Sequence, residues 1–202
     1  MSKDKPYHRE DLRGDLLKAG REYVAKNGHL GLSVRTLAQQ VGVSAGAPYH
    51  HFPDRRSLLL ALALAGFEDL MNHHAAAAGQ ELPSRERLKQ MGLAFIRFSD
   101  ENPHLVDLMF ESELTTPMVV PELLEYQFIG HRALREPILE ALPGISDEDA
   151  DLRAVAYWST VYGFASMRKK GVLHPYGGDT LPSINIAEAI LERAVTGALA
   201  AE

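Results

Sequence analysis

The sequence predicts an all-α protein, and three observations predict it. Apolar residues recur at helical spacing in one segment after another, no stretch keeps the alternation of a half-buried strand, and caps and breakers punctuate the chain where helices should start and stop. Of the 202 residues 46% are apolar and none is cysteine, so a packed core is expected without a disulfide framework or thiolate metal site. No apolar run approaches the about 20 residues needed to cross a bilayer. The N-terminus MSKDKPYHRED is charged from its start and lacks a signal-peptide core, so a cytoplasmic location is expected.

Each element follows from local chemistry. A first helix over residues 10–27 presents Leu12, Leu16, Ala19, Tyr23 and Val24 and stops at Gly28. Ser33 caps a second, with Val34, Leu37, Ala38 and Val41 on one face, and Gly42 supplies the left-handed residue that ends it. Ser44 is placed to cap a third helix carrying Tyr49 and ending near Phe52. Within it Pro48 removes an amide donor and loosens the start towards 3₁₀ geometry. Asp54 or Ser57 then caps a long helix through Leu58, Leu62, Ala65 and Leu70 to about residue 78.

Five further helices follow. A helix opens at Ser84 and must stop near Asn102, because Pro103 disfavours helical geometry before it; a short helix over 103–110 succeeds it. TTPMVVP reads as loop, and residues 122–142 as helix with Pro137 as a kink or break. Ser146 and Asp149 resemble a capping box opening a helix to about Lys170, with acids at its positive end and Arg168, Lys169 and Lys170 at its negative end. After the turn-rich HPYGGDTLPS comes a last helix with Ile186, Ala187, Ile190, Leu191, Ala194, Val195, Ala198 and Leu199.

Charge divides the chain. Residues 1–56 hold 10 Lys or Arg against 6 Asp or Glu, whereas residues 57–202 hold 11 against 21. A basic end on an acidic body favours phosphate contact by that end alone. There the stretch SVRTLAQQVGVSAGAPYHHF, residues 33–52, reads as two short helices joined by Gly42, the pattern of a helix-turn-helix that reads DNA. Ala45, Gly46 and Ala47 are small enough for the backbone to approach a phosphate or base edge closely.

The run from Ser33 through Leu58, with Tyr49, His51, Phe52 and Arg55 after a glycine turn, resembles the DNA-binding domain of the TetR family of bacterial transcription regulators. The segments AFIRFSDENPHLVDLMF and AYWSTVYGFASM, with Trp158, Tyr162 and Gly163, are similar to parts of the regulatory domain of one branch of that family. The resemblance implies a DNA-binding domain over 10–70 and a helical ligand-binding and dimerisation domain over 71–202. By position in the motif, Tyr49, His51 and Arg55, with the amides near Ser44 and Ala45, would touch the DNA backbone. Arg35, Thr36, Gly46, Ala47 and His50 would face bases, with Arg35 suited to guanine. Where Ala45 stands, a basic residue is frequent in the family.

The same resemblance implies a cavity for a small-molecule effector, largely apolar, with Phe95, Met109, Phe110, Phe128, Trp158 and Tyr162 as candidate lining. Read without it, an aromatic and Met stripe at helical spacing is core. His73, His74, His104, His131 and His174 are too scattered for a metal site and read as surface or satisfied histidines. No phosphate loop, cysteine nucleophile or nucleophile elbow is present, so neither an enzyme nor a cofactor is expected.

Small residues Ala156, Ser159, Thr160 and Gly163 form a seam on one late helix, and the last helix is apolar over more than half its circumference. Both point to a homodimer closed by a four-helix bundle. The expected function is an effector-responsive repressor that reads a palindromic operator. A DNA-binding protein without ligand response, and a helical interaction module without a DNA role, stay open as alternatives.

Overall fold

The computed structural model describes residues 11–78, 82–173 and 186–200. The expected start at Glu10, the turn-rich HPYGGDTLPS and His174 lie outside them. All regular structure among the described residues is helical: α1 Leu12–Asn27, α2 Val34–Val41, a 3₁₀ turn Ala47–His50, α3 Arg55–Ala78, α4 Ser84–Glu101, α5 Pro103–Phe110, α6 Pro121–Ala141, α7 Asp147–Lys169 and α8 Ile186–Ala198.

The boundaries have the expected local causes. Asp11 accepts from the Gly14 amide at 2.8 Å and opens α1; Ser33 accepts from the Thr36 amide at 3.0 Å and opens α2. Asp54 caps α3 through the Ser57 amide at 2.7 Å, and Ser57 Oγ donates back to the Asp54 carbonyl at 2.8 Å. Hydrogen bonds from the Ser57 amide and then from its side chain hold the Asp54 carboxyl below its usual range. Ser146 accepts from the Asp149 amide at 3.1 Å at the head of α7. Ser84 opens α4 as expected, and Pro137 lies inside α6 without ending it.

The helices form two compact units. The first comprises Met1–Gly66 together with His104–Met118, the second Phe67–Pro103 together with Val119–Glu202. This differs from two contiguous blocks, because α5 joins the N-terminal unit. Gly66 explains it: a Cβ there would stand 2.8 Å from Met109 Sδ and 3.2 Å from Leu105, so only glycine lets α5 lie this close to α3. Around that contact Leu16, Leu37, Leu58, Leu62, Leu108 and Met109 are fully buried, each such side chain contributing about 2 kcal/mol.

In the second unit α4, α6, α7 and α8 enclose Leu88, Phe95, Leu123, Ile138, Val161 and Leu191. A Cβ on Gly92 would meet Leu191 at 2.3 Å and the Tyr157 hydroxyl at 2.5 Å, so α4 lies hard against α7 and α8. Tyr157 donates from the same place to the Leu88 carbonyl at 2.6 Å.

Candidate nucleic-acid interface

The motif is built on α2. Val34, Leu37 and Ala38 are buried and fix the helix to the unit, which leaves Arg35 on its outer side. Ser33 Oγ and Thr36 Oγ1 lie 2.7 Å apart, so the Thr36 hydroxyl is held within the capping turn. Gly42 has φ 76° and ψ 36°, and its amide and that of Val43 return to Gln39 and Ala38, closing the helix in a left-handed cap.

The recognition segment is shorter than the sequence implies. The expected helix from Ser44 to Phe52 is a single 3₁₀ turn, Ala47–His50, because Pro48 has no amide to donate and its buried ring occupies the first turn. Ser44 contributes its carbonyl, accepting from Ala47 N at 3.1 Å, and no side chain caps the turn. Tyr49, His50 and His51 stand exposed, Tyr49 by 48%. Ser44, Ala45 and Gly46 are exposed too, and the space where a Gly46 side chain would stand is open. Ala47 is half-buried.

Arg55 departs from the expected phosphate contact. Its Nε donates to the Leu32 carbonyl at 2.8 Å and its Nη2 to the His29 carbonyl at 2.9 Å and the Leu30 carbonyl at 3.3 Å, while Nη1 pairs with Glu113. The guanidinium therefore ties the loop after α1 to the segment after α5. His29, buried beside it, has its pKa lowered by burial and then by the Arg55 charge. One cation missing from the expected set is Arg13, exposed on α1 with its guanidinium 5.7 Å from the Phe52 ring centre. Nothing in its spacing marked it.

The six expected ligand residues do not come together. Phe95, Trp158 and Tyr162 form a ring cluster, with Phe95 4.6 Å from Trp158 and 6.1 Å from Tyr162. Met109 and Phe110 belong to α5 in the N-terminal unit, and Phe128 is 62% exposed. The body instead contains a cleft of about 710 Å³ between α3, α4 and α6, and none of the six lines it. Among the described residues no three His, Cys, Asp or Glu side chains group as a metal site, and no helix is long and apolar enough to cross a membrane. His131 pairs with Asp151 at 3.0 Å. His74, read from the sequence as a surface or satisfied histidine, is half-buried, and both its ring nitrogens are buried and unpartnered.

Comparison with known proteins accords with this geometry. Residues 16–62 match the model of the tetR family of bacterial regulatory proteins, and residues 88–194 match that of a tetracyclin repressor-like C-terminal domain. The HTH-type transcriptional repressor AcnR of Corynebacterium diphtheriae is 45% identical over 51 residues, 25% of this chain and 27% of that protein. The HTH-type transcriptional activator FasR of Mycolicibacterium smegmatis is 28% identical over 116 residues, 57% of this chain and 53% of that protein. The match thus spans about half the length of these relatives or less. A solved structure of a protein of unknown function from Rhodococcus sp. RHA1 superposes with TM-score 0.75 at 28% identity, covering 97% of both chains. With both its halves matched, one by the family's DNA-binding model and the other by its regulatory model, this chain belongs to the TetR family of bacterial transcription regulators.

Proposed function

We propose that this protein is a homodimeric, effector-responsive repressor that binds a palindromic DNA operator through α2 and the 3₁₀ turn. The observation that carries the reading is the open surface after Gly42, where Arg35, Tyr49, His50 and His51 are exposed around a backbone bare of large side chains at Ala45 and Gly46. Tyr49, His51 and the amides near Ser44 and Ala45 hold the phosphates; Arg35 and His50 reach base edges, with Gly46 and Ala47 allowing close approach and Thr36 shaping the turn beneath them. Arg55 positions the unit from within.

Dimerisation is supported by what α7 leaves uncovered. Leu152 is 62% and Val155 52% exposed, Ala156, Ser159 and Thr160 follow on the exposed side, and open space surrounds Gly163. A shallow groove between α7 and α8, lined by Leu152, Ala156, Thr160, Ala194 and Gly197, suits the same helix pair of a second copy. Two recognition surfaces then read two half-sites, and an effector in the body shifts the population towards a spacing unsuited to DNA. Repression is favoured over activation by AcnR, which is named a repressor and is the more similar of the two relatives over its matched segment.

The test is selection of random duplex DNA by the purified protein at two salt concentrations. An inverted repeat should emerge, and Arg35→Ala should weaken binding to it by about ten-fold or more while leaving thermal unfolding unchanged. Binding that is salt-sensitive but blind to sequence, or no binding, would overturn the reading.

A further inference from the structure

The recognition turn is short of charge. Residues 44–51, SAGAPYHH, hold no Lys or Arg, and the Arg55 guanidinium is taken up by three backbone carbonyls and Glu113. Of the residues assigned to DNA above, that leaves exposed Arg35 as the one permanent cation. Neutralised phosphates supply the sequence-independent part of DNA affinity, so a reader with this turn needs a cation from a neighbouring element.

Arg13 of α1 is placed to be that cation. Helix α1 packs on both α2 and the 3₁₀ turn. Arg13 is exposed near its start, and its guanidinium carbon lies over the Phe52 ring, 5.7 Å from the centre. Phe52 is buried, follows His51 directly, and donates its amide to the Pro48 carbonyl at 2.9 Å, so the ring is tied to the recognition turn. Among the described residues no carboxylate pairs with Arg13. A ring under a guanidinium restrains the side chain, yet it accepts none of the five N–H donors. A restrained planar fork loses little freedom on meeting two phosphate oxygens.

The stability of α1 does not account for a cation at this position. Arg13 is the second residue of the helix, where exposed amides favour acids and the dipole opposes an arginine. We infer that Arg13 is a phosphate contact of the DNA interface, contributed by α1 from outside the helix-turn-helix and held beside the recognition turn by the Phe52 ring. The inference rests on the DNA-reading function proposed above. Phosphates are alike in every sequence, so Arg13 strengthens binding to any duplex and leaves the choice of operator to α2 and the turn.

Fluorescence anisotropy of the full chain with the selected duplex and with a scrambled duplex of equal length, over a series of salt concentrations, tests it. Arg13→Gln should weaken binding to both duplexes by a similar factor, about ten-fold at low salt, and should lower the slope of log affinity against log salt by about one per bound copy. Arg13→Lys keeps the charge and should keep the slope. Melting temperatures of both variants should stay within about 2 °C of the parent, which separates a lost phosphate contact from a lost fold. A glutamine variant with the parent's slope, or a loss confined to the selected duplex, overturns the inference; because the parent still prefers the selected duplex, the regulator stands. A parent that binds neither duplex overturns both readings. A parent that binds both alike overturns the operator reader, while the change in slope still decides the role of Arg13.

Discussion

The two units treat a half-buried arginine in opposite ways. In the N-terminal unit Arg55 meets three backbone carbonyls and Glu113, so each of its three nitrogens has an acceptor. In the body Arg87 is answered by Glu140 at one end while its Nε is buried with nothing to donate to, and His74 in the same cleft lining is unmet at both nitrogens. A closed set of partners holds a shape, and an unmet buried polar atom costs stability. The N-terminal unit therefore closes its arginine into a full set of partners, whereas the body leaves polar atoms of Arg87 and His74 unmet.

The largest effect that tests this contrast is on Arg55. Arg55→Ala strands the His29, Leu30 and Leu32 carbonyls and the Glu113 carboxylate, and should cost about 3 kcal/mol in urea unfolding. Arg55→Lys should recover only part, because one ammonium cannot reach acceptors arranged for a planar fork. A variant that loses DNA affinity while keeping full stability would mean that Arg55 is a phosphate contact after all.

A smaller effect comes from acid. An unfolded His74 titrates near 6.5, whereas burial holds the folded one at about 4. Between these values the unfolded chain binds a proton that the folded chain refuses, so stability is full above pH 6.5 and falls as the pH drops towards 4. The loss between pH 7 and pH 5 should be about 2 kcal/mol, and His74→Gln should remove that share. His29, whose pKa is also lowered, stays in both proteins and cancels in the difference. Equal slopes for parent and variant would place His74 in solvent and close the contrast between the units.

The smallest concerns Gly42. With φ at 76° and open space around a would-be Cβ, Gly42→Ala meets strain but no clash, and should cost about 1 kcal/mol, with Gly42→Asn costing less. A clearly larger loss would show that the turn is also packed.

What was legible in the sequence was local. Ser33, Gly42, Asp54, Asn102 and Ser146 mark helix ends because their effect is felt within three or four residues, and the all-α fold follows from them and the apolar spacing. Pro48 announced part of the 3₁₀ turn, but not that the turn would be the whole segment, which depends on the burial of its ring. The partners of Arg55 were not legible because its acceptors lie 23 to 58 residues away in the chain. The dispersal of the expected ligand set was not legible because Gly66 lets α5, with Met109 and Phe110, join the other unit, a consequence of one missing Cβ. His74 gave no signal: a histidine on a long apolar helix reads the same whether or not its nitrogens find partners.

Gly92 gives the cleft an asymmetry. Where Leu191 and Tyr157 press against its backbone, α4 has no slack to move, and α4 is the wall that bears Arg87 and Met91. One side of the cleft is thus an anvil. The other walls, α3 and α6, carry no such close approach, and α3 is the helix that begins at Arg55.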